Sequence, residues 1–187
     1  MAAPRLRPHN ELEYVKLLSW VKGAKSVLEI GSRFGYTLVD LAHVMDGKGT
    51  VVSVDLPDAE GWNDDLSAQA IKHLRANVEQ IKREGYDAHL FEGDSKDPEI
   101  IEKVKALGPF DVVFIDGDHT YEGVKADWLS YGHLGKMVIF HDIRKPEPPE
   151  WMGMGVYKLW DELNGTDKFI APGSKMGIGR IGKTARS

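Results

Sequence analysis

Three ionisable side chains crowd the point where an apolar run ends. In FDVVFIDGDHTYE, Asp116, Asp118 and His119 follow Val112, Val113, Phe114 and Ile115. VIFHDI ends the same way, with His141 and Asp142 closing a second apolar run. Such runs predict strands buried on both faces, so the charged groups mark where each strand leaves the core. Neighbouring parallel strands lie about 4.8 Å apart, so side chains from two adjacent strand ends can converge on one ion. Asp116, His141 and Asp142 form a donor set for a divalent cation that also chelates two neighbouring substrate oxygens. His119, three residues past Asp116, is placed to take a hydroxyl proton near neutral pH. The bland alternatives are a turn or helix-cap role for Asp118 and a satisfied strand-end imidazole for His141.

The elements that must position these groups alternate along the chain. Short β-branched or aromatic runs at Ser26–Ile30, Thr50–Val54, Ala88–Phe91, Asp111–Ile115 and Lys136–Phe140 predict five strands. Between them lie helical patterns: one opening at Tyr36, Leu66–Arg83 with Ala70, Ile71, Leu74, Val78 and Ile81 on one face, a stretch from Pro98, and Tyr121–Leu134. Asn10 and Glu13 predict a capping box for an N-terminal helix. Val156–Leu163 predicts a last helix, and Phe169–Ala171 with Met176–Ile181 a hairpin turning at Gly173. The pattern is a doubly wound α/β domain spanning residues 1–187, with an N-terminal arm and helix over 1–24 and a Pro/Gly-rich loop over 144–155. In such sheets ligands bind beyond the carboxyl ends of the strands.

The other strand ends point to a nucleoside. The first runs into Gly31-Ser-Arg-Phe-Gly35, where the middle glycine of a dinucleotide fingerprint is replaced by Arg33. A pyrophosphate would be crowded there, whereas a nucleoside without phosphates is easier to seat. Asp55 ends the second strand, where a carboxylate accepts hydrogen bonds from both hydroxyls of a ribose. Gly93, Asp94 and Ser95 follow the third strand as small polar groups for an adenine edge. The loop Leu56–Gln69, with Trp62, and the loop Lys145–Gly155, with Trp151, Met152 and Met154, are candidate walls for an acceptor.

The stretches VLEIGSRFGYT, VVSVDLPD, FEGDSKD, FDVVFIDGDH and KMVIFHDI resemble, in order and spacing, the class I S-adenosylmethionine-dependent methyltransferases. Within that class the run FIDGDHTYEGVKADW followed by VIFHDI is most similar to small metal-dependent O-methyltransferases: the catechol type and, more closely, the sugar and antibiotic-tailoring group with a D-G-x-H-x-Y-E strand end. The resemblance implies a Rossmann-like seven-stranded sheet with helices on both faces and an antiparallel C-terminal hairpin strand. It implies S-adenosylmethionine as cofactor, with Glu29, Gly31, Ser32 and Gly35 flanking its methionine part, Asp55 on the ribose, and Asp94 and Ser95 at the adenine. Asp116 is expected to border the cofactor and, with His141 and Asp142, to hold Mg²⁺ or Mn²⁺, with His119 as base. The position of His141 is often a carboxylate in that group. Imidazole is softer, which moves the preference toward Mn²⁺ or another transition metal, or leaves the ion out.

Composition narrows the alternatives. The chain has 187 residues, 42% apolar and 28% charged, with a net charge of -5, which argues against nucleic acid or an anionic membrane as main partner. It contains no cysteine, which removes disulfide, thiol-nucleophile and thiolate-metal chemistry. MAAPRLRPHN carries no apolar core of a secretory signal, and a cytoplasmic setting is the simplest expectation. A small hydroxylated acceptor (sugar, catechol-like compound or natural product) is expected, and a homo-oligomer is compatible. His9, His43, His73, His89 and His133 read as structural. Competing readings are a nicotinamide oxidoreductase, a metallohydrolase built on the Asp116–Asp142 constellation, and a non-catalytic nucleoside-binding module.

Overall fold

The computed structural model of the chain describes residues 10–56, 64–147, 153–165 and 167–182. Seven strands form one sheet: β1 (Ser26–Ile30), β2 (Thr50–Asp55), β3 (Asp87–Glu92), β4 (Phe110–Ile115), β5 (Gly135–His141), β6 (Asp167–Phe169) and β7 (Ile178–Gly182), in the order β3-β2-β1-β4-β5-β7-β6. β1 to β5 are mutually parallel, and β7 runs antiparallel to both of its neighbours, β5 and β6. The winding reverses at β1, which pairs with β2 on one side and β4 on the other. That reversal opens a crevice at the carboxyl ends of β1 and β4.

Alternation along each strand divides the core in two. Val27, Val51, Val112, Phe114 and Ile139 pack on one face, with Leu17, Val21, Leu38, Leu41, Leu74 and Val78. These come from α1 (Glu11–Val21), α2 (Tyr36–Val44) and α3 (Asp64–Arg83). Leu28, Ile30, Val52, Val113, Ile115 and Phe140 pack on the other, with Ile100, Val104, Val124, Tyr131, Leu159 and Trp160. Those belong to α4 (Pro98–Lys105), α5 (Tyr121–Tyr131) and α6 (Val156–Glu162). A period-two strand with apolar residues at every position has two dry faces, and each requires a helical layer.

Several local expectations shift. Asn10 caps α1 by accepting the Leu12 N–H, but Glu13 does not complete a capping box. It is buried and accepts the Ala171 N–H at 3.1 Å, tying α1 to the β6–β7 connection. α3 begins at Asp64, inside the segment expected to be loop to Gln69. α5 ends at Tyr131, and Gly132–Leu134 continue as a 3-10 turn into β5. β6 lies at Asp167–Phe169, earlier than the expected Phe169–Ala171, because Ala171, Pro172, Gly173 and Ser174 form a turn closed by Ser174 N–H to Ala171 C=O at 2.9 Å. Among the described residues no helix is long and apolar enough to cross a membrane.

Candidate active site at the carboxyl ends of the strands

Asp116 leaves β4 and His141 ends β5, and the pairing of these strands sets them side by side. His141 Nδ1 lies 3.2 Å from Asp116 Oδ1 and 3.5 Å from Asp142 Oδ2. His119 Nε2, brought back by the turn before α5, lies 3.4 Å from Asp116 Oδ1 and 3.5 Å from Asp142 Oδ2. One ligand atom each from Asp116, His119 and Asp142 falls within 4.8 Å of the others. Asp142 holds a left-handed backbone, φ 58°, which a non-glycine residue rarely adopts and which turns its carboxylate into the cluster. Asp142 and His141 are buried, Asp116 is half-buried, and His119 is open to solvent on one side.

Electrostatics in this cluster favour positive charge. Burial pushes His141 toward neutrality, but the charges and hydrogen bonds of Asp116 and Asp142 outweigh it and raise its pKa to about 10. Burial also opposes protonation of His119, and Asp116 with Asp142 again overcomes it, so its pKa lies above 6.5. Asp142 Oδ1 is buried without a hydrogen-bond partner. An orphaned carboxylate oxygen beside two imidazoles and a second carboxylate fits a hard or borderline divalent cation. His119 stands as close to both carboxylates as His141 does, so it is positioned either to ligate or to take a proton.

The β1–α2 turn forms the other half of the crevice. Gly31 adopts φ 88° and Gly35 φ 75°. A β-carbon on Gly31 would overlap the Asp116 carbonyl oxygen and stand 2.5 Å from the Gly117 α-carbon. The glycine is thus required by the neighbouring strand end as well as by any ligand. Asp55 Oδ2 accepts the Arg33 N–H at 2.7 Å, fixing the turn from β2. Burial raises the Asp55 pKa against the lowering effect of these backbone bonds. Behind the turn runs a buried relay: Ser53 Oγ donates to Ser32 Oγ at 2.8 Å, and Ser32 Oγ donates to Glu29 Oε2 at 2.6 Å. Burial, reinforced by Asp116 and Asp55 and only partly offset by Ser32, lifts the Glu29 pKa to about 8.

Asp94 and Ser95 lie beyond β3 at the far end of the crevice. Asp94 Oδ1 accepts the Lys96 N–H at 2.9 Å. Ser95 is anchored from α5: its Oγ donates to Asp127 Oδ1 at 2.6 Å, and its C=O accepts the Tyr131 hydroxyl at 2.6 Å. Asp127 is not among the residues that the sequence singles out, although its position carries a signal. It falls with Gly123, Val124 and Tyr131 on the buried stripe of α5, where a carboxylate is out of place. Burial raises its pKa to about 6. Asp118 is a turn residue, accepting the Thr120 N–H at 2.9 Å, while Thr120 caps α5. His43 and His89 pair with Glu84 and Asp87, and His73 packs near Phe34 and Tyr36. Trp62, Trp151, Met152 and His9 lie outside the described residues.

A strand order that reverses at β1, with a carboxylate–imidazole cluster at the neighbouring strand ends, is the arrangement of a Rossmann-like domain. The family model described as a methyltransferase domain matches residues 28–143, from β1 through the end of β5, and the chain belongs to that family. Over 111 residues it is 24% identical to a catechol O-methyltransferase of Niastella koreensis, a match covering 58% of this chain and 44% of that protein. The chain thus spans less than half the length of this curated relative. An O-methyltransferase from Bacillus cereus, solved with S-adenosylhomocysteine, shares the fold at TM-score 0.66 and 18% identity, over 96% of this chain and 84% of that one. CalS11, a TDP-rhamnose 3'-O-methyltransferase of calicheamicin biosynthesis, does so at TM-score 0.60 and 19% identity, over 95% and 82% of the two chains.

Proposed function

We propose that the chain is an S-adenosylmethionine-dependent O-methyltransferase that acts on a hydroxyl of a small acceptor with the help of a divalent cation. The observation that carries this reading is the position of Asp116. It stands in the carboxylate–imidazole cluster while its carbonyl packs against Gly31 of the nucleoside turn, so the two halves of the crevice meet at one residue. S-adenosylmethionine supplies an electrophilic methyl group on a sulfonium, and the cation supplies charge that lowers a hydroxyl pKa and fixes the oxygen.

The chain's own residues divide the remaining work. Asp55 accepts the ribose hydroxyls while one of its oxygens keeps the Arg33 N–H. Glu29, buried with a raised pKa, is a latent anion for the ammonium of the methionine part. Ser95, held by Asp127 and Tyr131, presents a fixed edge to adenine. Asp116, Asp142 and His141 hold the cation, and His119 receives the hydroxyl proton at Nε2. The new bond is oxygen to methyl carbon, the broken one sulfur to methyl carbon, and the sulfur leaves as a neutral thioether.

The test is calorimetry with S-adenosylhomocysteine and NAD, followed by an acceptor screen with Mg²⁺ and Mn²⁺. Binding of the first and not of NAD, with cation-dependent methylation of a hydroxylated acceptor, is the expected result. Folded chain that binds no S-adenosylhomocysteine overturns the proposal.

A further inference from the structure

The loop after β3 docks on α5. At its root Gly93 N–H donates to the Asp55 C=O at 2.9 Å, so the loop starts beside the carboxylate proposed for the ribose. Two residues on, Ser95 is held from α5 at two points. Its Oγ donates to Asp127 Oδ1 at 2.6 Å, and its C=O accepts the Tyr131 hydroxyl at 2.6 Å. β2 and β1 separate β3 from β4, the strand that α5 follows, so the docked loop spans the carboxyl ends of two intervening strands. A nucleoside whose ribose sits on Asp55 extends its base toward Ser95.

Asp127 is 1% exposed. Among the described residues its Oδ2 is buried without a hydrogen-bond partner, and a β-carbon on Gly117 would stand 3.5 Å from it. Burial lifts the Asp127 pKa to about 6; Ser95 and Lys96 oppose the rise, while Asp118 and Asp94 add to it. At pH 7.5 the group is therefore a carboxylate, which only accepts hydrogen bonds. The Ser95 hydroxyl proton is committed to it, and toward the crevice Ser95 Oγ offers lone pairs alone. An ordinary serine hydroxyl rotates to suit a donor or an acceptor. Here, turning the proton away would strip the second oxygen of a buried carboxylate whose first already lacks a partner, which is costly. Asp94 also only accepts, but it is exposed and able to turn into water, so it discriminates weakly.

We infer that Asp127 is a specificity-determining residue acting through Ser95: it fixes the Ser95 hydroxyl as an acceptor and so selects a 6-amino over a 6-oxo purine in the cofactor. The inference rests on the methyltransferase reading and deepens it, because it assigns the choice of base to a side chain that touches no ligand. An amino group donates to Ser95 Oγ. A carbonyl oxygen in the same place sets two acceptors face to face with no proton between them.

Calorimetry at pH 7.5 with S-adenosylhomocysteine and its 6-oxo analogue, S-inosylhomocysteine, tests it. Wild-type chain is expected to favour the amino form by roughly 10- to 100-fold. Asp127→Leu frees the hydroxyl to donate, and Ser95→Ala removes it, so each should cut that ratio by about 5-fold or more. Tyr131→Phe is the control, because it loosens the same loop and leaves the hydroxyl proton where it was. It should weaken both ligands alike and keep the wild-type ratio. Three results overturn the inference: a wild-type ratio near one, a ratio unchanged in Ser95→Ala or in folded Asp127→Leu, or a Tyr131→Phe ratio that falls as far as that of Asp127→Leu. Ser95 is partly exposed, so Ser95→Ala keeps the test open if Asp127→Leu does not fold. Folded wild-type chain that binds neither ligand overturns the methyltransferase reading instead.

Discussion

Gly31 and Asp116 pack backbone against backbone where β1 and β4 end, with no room between them for a single methyl group. The turn that would hold a cofactor and the carboxylate that would hold a cation therefore cannot move independently.

Gly31→Ala is expected to cost about 3 kcal/mol or more, combining a left-handed backbone with a clash against backbone that cannot swing away. Gly35→Ala should cost less, because the side-chain end of Leu74 is the nearest obstacle there. Urea denaturation of both variants checks the order. In whatever Gly31→Ala remains folded, S-adenosylhomocysteine and Mn²⁺ affinity should fall together.

His119→Ala is expected to lower the single-turnover rate by roughly 10²–10⁴ with saturating cation, leaving S-adenosylhomocysteine affinity nearly intact. A role as ligand would instead appear as weaker Mn²⁺ binding and a rate recovered by excess metal. Because Asp116 and Asp142 raise its pKa, His119 in metal-free chain should titrate above 6.5 by NMR. Added Mg²⁺ should lower that midpoint by charge repulsion.

His141 ties stability to pH. Its folded pKa, about 10, lies above the ordinary 6.5, so the stabilisation is complete below 6.5 and disappears as pH rises through 10. Metal-free chain should lose on the order of a few kcal/mol over that window, and His141→Asn should flatten the loss. Metal binding must displace the proton, so Mn²⁺ titrations near pH 7.5 should release about one proton, read from the dependence of heat on buffer ionisation.

Glu29 acts with the same sign in a lower window. The folded chain keeps a proton up to about 8 that the unfolded chain loses near 4.5, so stability falls as pH rises between those values. Glu29→Gln should remove that slope in thermal melts of ligand-free chain and leave it more stable at pH 9. With S-adenosylhomocysteine the order should reverse: wild-type affinity climbs from pH 6 to 9, and the Gln variant binds weakly at every pH.

The strands that carry these groups were legible because each is a dry apolar run ending in polar residues. DVVFI and KMVIF could hardly be anything else, and their adjacency follows from the resemblance. Glu13 fits a capping box because its spacing from Asn10 satisfies a local rule, whereas the Ala171 backbone, 158 positions away, claims its carboxylate. Asp127 is hard to see in the sequence because α5 is weakly amphipathic and its partner Ser95 is remote along the chain. The pairing of Ile143 with Gly177 and of Arg144 with Met176 depends on how the chain runs after β5 and before β7, where no periodicity speaks.

The strand order carries a lesson about synthesis. Among the described strands β7 is translated after β5 and β6, yet it is inserted between them. Until residues 178–182 emerge, β5 is an open edge beside the site and β6 has nowhere to attach. A nascent chain stalled before that point exposes a long hydrophobic ladder to its neighbours on the polysome. The edge of β5, which ends at His141, is covered only once β7 has been made.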